Sequence, residues 1–181
     1  MKSLDKNIKR KYSFTKYNQD WITQFSKLKD FLAEVFGDKA LQIEHIGSTS
    51  VPDMKAKPLI DVLIVVNKIK AYEEEKRKMT DAGYDWADNY IASDTLFFFK
   101  ANAEGEKLVN IHVCPKDHPK SKQFITMRDY MRAFPDKAKA YSDLKEENNK
   151  KFPDDYPAYR AAKNTFLDQM EIEAYKWNMN K

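Results

Sequence analysis

The stretch "LIDVLIVV", residues 59–66, most constrains what this chain can fold into. Its residues are apolar on both parities of a period-two pattern, so a strand built from it buries both faces. Such a strand occupies a central position in a sheet, with further layers above and below. One residue interrupts the run, Asp61. An unpaired carboxylate in an apolar interior costs several kcal/mol even after relaxation, so Asp61 requires a partner, a metal or a chemical role.

The segment before this strand carries the chemistry that points to a role. "ALQIEHI", residues 40–46, has the branched and apolar content of a strand, and "GSTS" comes directly after it. A flexible glycine, free backbone N–H groups and three hydroxyls equip Gly47, Ser48, Thr49 and Ser50 as an anion or phosphate cradle. This is not a P-loop, because the Lys-Ser/Thr ending is absent, and Pro52 and Pro58 restrict the next segment to a short helical turn. Thirteen positions separate Ser48 from Asp61, a spacing that lets strand, loop and strand bring cradle and carboxylate to one sheet edge. Lys57 lies between them and has two readings, a point charge on a phosphate or the partner of Asp61.

Around this centre the hydrophobic spacing predicts an α+β fold, a mixed β-sheet flanked by helices, with a helical C-terminal third. Trp21, Phe25, Leu28, Leu32 and Val35 recur at three and four residues and predict a first helix over 18–36, stopped by Gly37-Asp38. "AYEEEKRKMTDAG" reads as a surface helix with a solvated, charge-rich face and Gly83 as its stop. "TLFFFKA" and "KLVNIHV" read as a hairpin around the turn "NAEGE". Helical spacing then returns over about 122–134, 137–152 and 159–177. At 181 residues the chain suits one domain. Residues 1–16 are expected to form a loosely ordered segment, and 17–181 a single domain.

Composition narrows the partners. A formal charge of +4 is too small to demand nucleic acid or membrane, although anionic small ligands fit it. No basic stripe interleaves with aromatics as a nucleic-acid platform requires, and "LFFF" and Trp21 read as core. No apolar run reaches the ~20 residues of a membrane span, and the basic N-terminus lacks the apolar stretch of a secretory signal. One cysteine, Cys114, allows no internal disulfide. The expected location is the cytoplasm.

Two histidines stand near the expected site. Glu44 and His45 alternate across their strand, so at most one of them faces Asp61, and periodicity does not choose between them. His112, in "NIHV", reads either as a neutral core histidine or as a ligand or acid–base group. His45, Asp61 and His112 together are a candidate metal or proton-transfer site. On the helical third, Arg128 and Arg132 lie four apart on one face, with Lys145 and Lys163 further on. Folded over the Gly-Ser loop, these cations would meet phosphate oxygens. The alternative pairs Arg128 with a neighbouring aspartate or with solvent.

A Gly-Ser pair on a loop ahead of a strand with an acidic residue resembles the nucleotidyltransferase superfamily. More narrowly, "YNQDWITQF", "IEHIGSTSVP", "AKPLIDVLIVV", "IHV", "FITMRDYMRAFPDKAKAYSDLK" and "AYRAAKNTFLDQM" cover most of residues 17–175. In that order they resemble the GrpB family of nucleotidyltransferase-like proteins, some fused to dephospho-coenzyme A kinase. The resemblance implies a nucleotidyltransferase-like fold and a nucleoside triphosphate or other phosphorylated ligand at Gly47–Ser50, Lys57, Arg128 and Lys145. It further implies a catalytic, metal-binding role for Asp61, a divalent metal such as Mg²⁺ and nucleotidyl transfer to an acceptor, with His112 a further catalytic candidate from its own chemistry. One departure matters: the second acid of the superfamily's Asp-x-Asp is Leu63 here. That favours an alternative, a non-catalytic nucleotide- or anion-binding module that lacks the metal pair.

Overall fold

A computed structural model of the chain describes residues 14–69 and 72–181. The expectation of loose order for the first dozen residues lies outside the described residues. Thr15 is bridged to Ala56 in both directions by backbone hydrogen bonds of 2.9 and 3.1 Å.

Among the described residues, one mixed sheet of five strands organises the fold. β1 (Ala40–Ile46), β2 (Ile60–Val66), β3 (Asp85–Asp88), β4 (Leu96–Ala101) and β5 (Lys107–Pro115) lie in the order β1-β2-β5-β4-β3. Only β2 and β5 run parallel; the remaining neighbours are antiparallel. The apolar run of β2 takes the second position, with a hydrogen-bonded neighbour on each side, as its two-faced burial requires. On one face α1 (Asp20–Phe36) and α2 (Glu73–Asp81) cover Ile43, Val62, Ile64, Phe98 and Ile111. On the other, α3 (Pro119–Ala133) lays Phe124 and Ile125 on Ile46, Leu63, Val65 and Cys114. α4 (Pro135–Lys151) and α5 (Tyr156–Met179) join α3 around a second core of Tyr130, Met131, Tyr141 and Met170, which also takes in Val51 and Met54 from the β1–β2 connection.

Local chemistry sets the boundaries. Gly37 adopts φ 50° and ends α1, a conformation glycine reaches without steric cost. Pro135 closes α3 and opens α4, since proline lacks the N–H a helix interior needs but suits a first turn. Asp155 caps α5 by accepting the Ala158 N–H at 3.0 Å.

Two expectations change. The edge strand β3, "DWAD", does not read as a strand, because aspartate is depleted in strands; here its charges protect a sheet edge, and Lys76 lies 4.1 Å from the Trp86 ring centroid. α2 is not a wholly solvated helix either. Met79 and Glu75 are buried, and Glu75 holds Lys39 at 2.5 Å.

Candidate functional site

The strand register assembles the site. Asp61 is directly opposite Ile46 on β1 and Asn110 on β5, so all three side chains share the face covered by the C-terminal helices. Asn110 donates to Asp61 Oδ1 at 2.8 Å. At the end of β1, Gly47 turns the chain with φ 71° and ψ −174°. A Cβ at Gly47 would stand 2.5 Å from Asp61 Oδ2, so only glycine lets the backbone pass over the carboxylate. Ser48–Ser50 then form one short 3-10 turn.

These residues open onto a cavity of about 540 Å³, a size that suits a small-molecule ligand. Gly47, Ser48 and Asp61 line one region of it together with Lys57, Lys145 and Lys163. Lys145 comes from α4 and is only 4% exposed. Its Nζ donates to Ser48 Oγ at 2.9 Å and to the Lys55 carbonyl at 3.0 Å, and lies 4.7 Å from the Tyr141 ring centroid. Among the described residues, no carboxylate forms an ion pair with it.

Electrostatics follow from this enclosure. Burial pushes the Asp61 carboxyl up to about 6, against the Asn110 hydrogen bond and the charges of Lys163, Lys107 and Lys145, all of which lower it. Burial likewise brings the Lys145 ammonium down to about 7, helped by Lys163 and opposed by Asp61. Lys163 is lowered by burial and by Arg160.

His112 lines the same cavity, two residues beyond Asn110 and opposite Leu63. Its ring packs against Phe97 and Phe124, with centroids 5.0 and 4.9 Å away. Burial first, and Lys107 second, lower its pKa to about 4, so the imidazole is neutral at pH 7.

Several expected site residues are placed elsewhere. His45 is corrected from a metal ligand beside Asp61 to a core histidine of the opposite face. It pairs with Val62 rather than Asp61, stacks on Phe25 at 4.7 Å and contacts Thr49 Oγ1 at 3.0 Å. Burial lowers its pKa to about 4, with Arg132 and Arg128 adding to the shift. The Thr49 hydroxyl donates to the Leu59 carbonyl, and the Ser50 hydroxyl to the Gly47 carbonyl at 2.6 Å. The hydroxyls of Thr49 and Ser50 therefore bind the loop itself, leaving Ser48 as the hydroxyl coupled to Lys145.

Arg128 is also corrected. Its guanidinium bonds Glu44 at 2.6 Å, Asp129 at 2.8 Å and the His45 carbonyl at 3.2 Å, and it does not line the cavity. Glu44 thus shares the face of Asp61 but answers to Arg128. Arg132 clamps the Ser50 carbonyl from Nε and Nη2 at 3.0 and 2.8 Å. Arg128→Met is expected to lower stability by about 1–2 kcal/mol in thermal or urea unfolding, because Glu44 and the His45 carbonyl lose a donor while Glu44 keeps partial solvent access. Ligand binding at the cavity is expected to persist in this variant.

For a divalent ion the donor set falls short. Among the described residues no three His, Cys, Asp or Glu side chains come together in a way that could hold one, and lysine charges act on Asp61. Leu63, fully buried among Ile46, Val65 and Cys114, stands where a second carboxylate would be needed. Mg²⁺ takes about six oxygen ligands, several of them commonly waters and substrate phosphates, so protein side chains alone would hold it weakly here.

Asn110, Lys107, Phe97 and Phe124 were not legible as site residues. Each belongs to an element distant in sequence, and "LFFFKA" and "KLVNIHV" give a core pattern without revealing which strand is placed beside β2.

Comparison with known proteins agrees with the architecture. Residues 11–173 match the family model described as GrpB protein. UPF0157 protein YqkA of Bacillus subtilis is 34% identical over 174 residues, 96% of this chain and 50% of that protein. The chain thus spans half the length of that relative. A dephospho-CoA kinase of Mycolicibacterium paratuberculosis is 24% identical over 87% of this chain and 44% of its own length. The crystal structure of conserved protein GrpB from Enterococcus faecalis superposes with a TM-score of 0.86 at 28% identity, covering 92% of this chain and 99% of that one. Among the described residues, no helix is long and apolar enough to cross a membrane.

Proposed function

This chain belongs to the GrpB family, and on that premise we propose that the Asp61 cavity binds a nucleotide or another phosphorylated small molecule. The observation that carries the reading is Lys145, a buried ammonium with no carboxylate ion pair among the described residues, held against Ser48 at the cavity wall. A buried cation is stable when an opposite charge meets it, and a phosphate at the Gly47–Ser48 turn supplies that charge. Lys57 and Lys163 line the same cavity and extend the positive field. Some relatives are named dephospho-CoA kinase, and a phosphorylated ligand in this region is consistent with those names.

Titration calorimetry with ATP and with inorganic tripolyphosphate, each with and without Mg²⁺, tests the reading. Lys145→Met is expected to weaken binding of both by about tenfold or more, the worth of a lost charge-assisted hydrogen bond. Because the free Lys145 amine titrates near pH 7, phosphate binding is expected to take up protons and to weaken as pH rises from 6 to 8. Buffers of different ionisation enthalpy measure that uptake. Wild-type affinity unchanged in Lys145→Met would remove the assignment.

Nucleotidyl transfer is the second reading, favoured by Asp61. A carboxylate titrating near 6 at the cavity wall can take the proton of an acceptor hydroxyl as its oxygen bonds to the α-phosphorus and pyrophosphate leaves. Pyrophosphate release in the presence of candidate acceptors separates this reading from binding alone.

A further inference from the structure

His112 presents a hydrogen-bond donor to the cavity, and the environment of its ring says which nitrogen carries it. Phe97 and Phe124 pack against it, tilted by 39° and 36°. Nδ1 is buried and has no hydrogen-bond partner, whereas Nε2 is neither enclosed in that way nor bonded to protein among the described residues. The imidazole is neutral and carries a single N–H. Placing that hydrogen on Nδ1 would bury a donor with no acceptor, so it belongs on Nε2, where the cavity can satisfy it.

Aromatic rings make up much of the surroundings. Phe97 and Phe124 line the cavity beside His112, and Tyr90 stacks on Phe97 at 4.3 Å. Along β5 His112 lies two residues from Asn110, about 7 Å at strand rise, and Asn110 holds Asp61. The cavity therefore has a lysine-rich region at Gly47–Ser48 and, around His112, an aromatic region that also holds the Lys107 ammonium, 5.0 Å from the Phe97 ring centroid.

From this geometry we infer that His112 is a specificity residue, donating from Nε2 to a ring nitrogen or carbonyl of a heteroaromatic group on the phosphorylated ligand. The inference rests on the phosphate reading given above and deepens it: the substrate class is a nucleotide rather than a bare phosphate or sugar phosphate. A site built to donate to an acceptor discriminates against ligands that lack one, because the donor is then left unpaired.

Calorimetry on the full chain with ATP, GTP, CTP, UTP and inorganic tripolyphosphate tests it. The wild type is expected to bind at least one of the four nucleotides about tenfold tighter than tripolyphosphate. His112→Phe, which keeps the aromatic packing and removes the donor, is expected to erase that advantage and leave tripolyphosphate binding unchanged. His112→Gln, which restores a donor, is expected to recover part of it, and circular dichroism checks that both variants are folded. Equal affinity of the wild type for tripolyphosphate and all four nucleotides would overturn the inference while leaving the phosphate site standing. So would a nucleotide preference unchanged in His112→Phe. Failure of every probe to bind would overturn both.

Discussion

Replacing Gly47 by alanine is expected to lower the unfolding free energy by about 3–5 kcal/mol, measured by urea denaturation. Two costs add. The backbone at φ 71° and ψ −174° lies in a region essentially reserved for glycine, worth about 1–3 kcal/mol for another residue. The new methyl would also meet Asp61 Oδ2 at 2.5 Å and Asp61 Cβ at 3.0 Å, and relieving that overlap displaces a side chain fixed by Asn110. Gly105→Ala is the control. Gly105 also has a positive φ, 81°, but no atom within 4 Å of an added Cβ, so it should lose only the conformational part, about 1–2 kcal/mol. Equal losses at the two positions would show that the contact with Asp61 is not what makes Gly47 necessary.

Asp61→Asn is expected to stabilise the ligand-free protein at neutral pH, by up to about 3 kcal/mol. The carboxyl titrates near 6 in the folded state against an ordinary value of 3.8. The folded form therefore binds the proton more tightly than the unfolded chain. Linkage then gives the sign: between about pH 4 and 6 the unfolded state has already released its proton, so wild-type stability falls as pH rises. Above pH 6 the full penalty is present; below pH 4 both states are protonated and it vanishes. Melting temperatures of wild type and variant from pH 4 to 8 should diverge over that interval, with the asparagine form higher. A lower melting temperature for the variant at pH 7 would mean that Asp61 is a structural ion-pair partner. A gain in stability on removing the charge would fit the role proposed for Asp61 above.

Much of the scaffold was legible in the residues themselves. "ALQIEHI" corresponds to β1, and the unbroken apolar run through Val66 places β2 inside the sheet. Legibility fails where a side chain's role depends on residues far along the chain. Ile43 and Ile46 stand at odd and even positions of β1, so alternation leaves open whether His45 or Glu44 faces Asp61; Phe25 and Arg128 decide it from other elements. Arg128 reads as a phosphate ligand until Glu44 is seen beside it. The short strand "DWAD" is set by its pairing with β4, since its own residues favour turns. Glu75 is hidden by its sequence context, one glutamate among three in a charged helix, although it alone of these is buried.

The Gly47–Ser50 turn is fastened by cations that lie far downstream. Arg132 reaches back 82 residues to the Ser50 carbonyl, and Lys145 reaches 97 to the Ser48 hydroxyl. At typical synthesis rates of about 5–20 residues per second, roughly 5–20 s separate translation of the turn from translation of its last fastener. A nascent chain ending in α3 has all five strands yet lacks Lys145 and Lys163. The cations of the proposed phosphate site therefore arrive late in the polypeptide's biogenesis, after its sheet can already have formed.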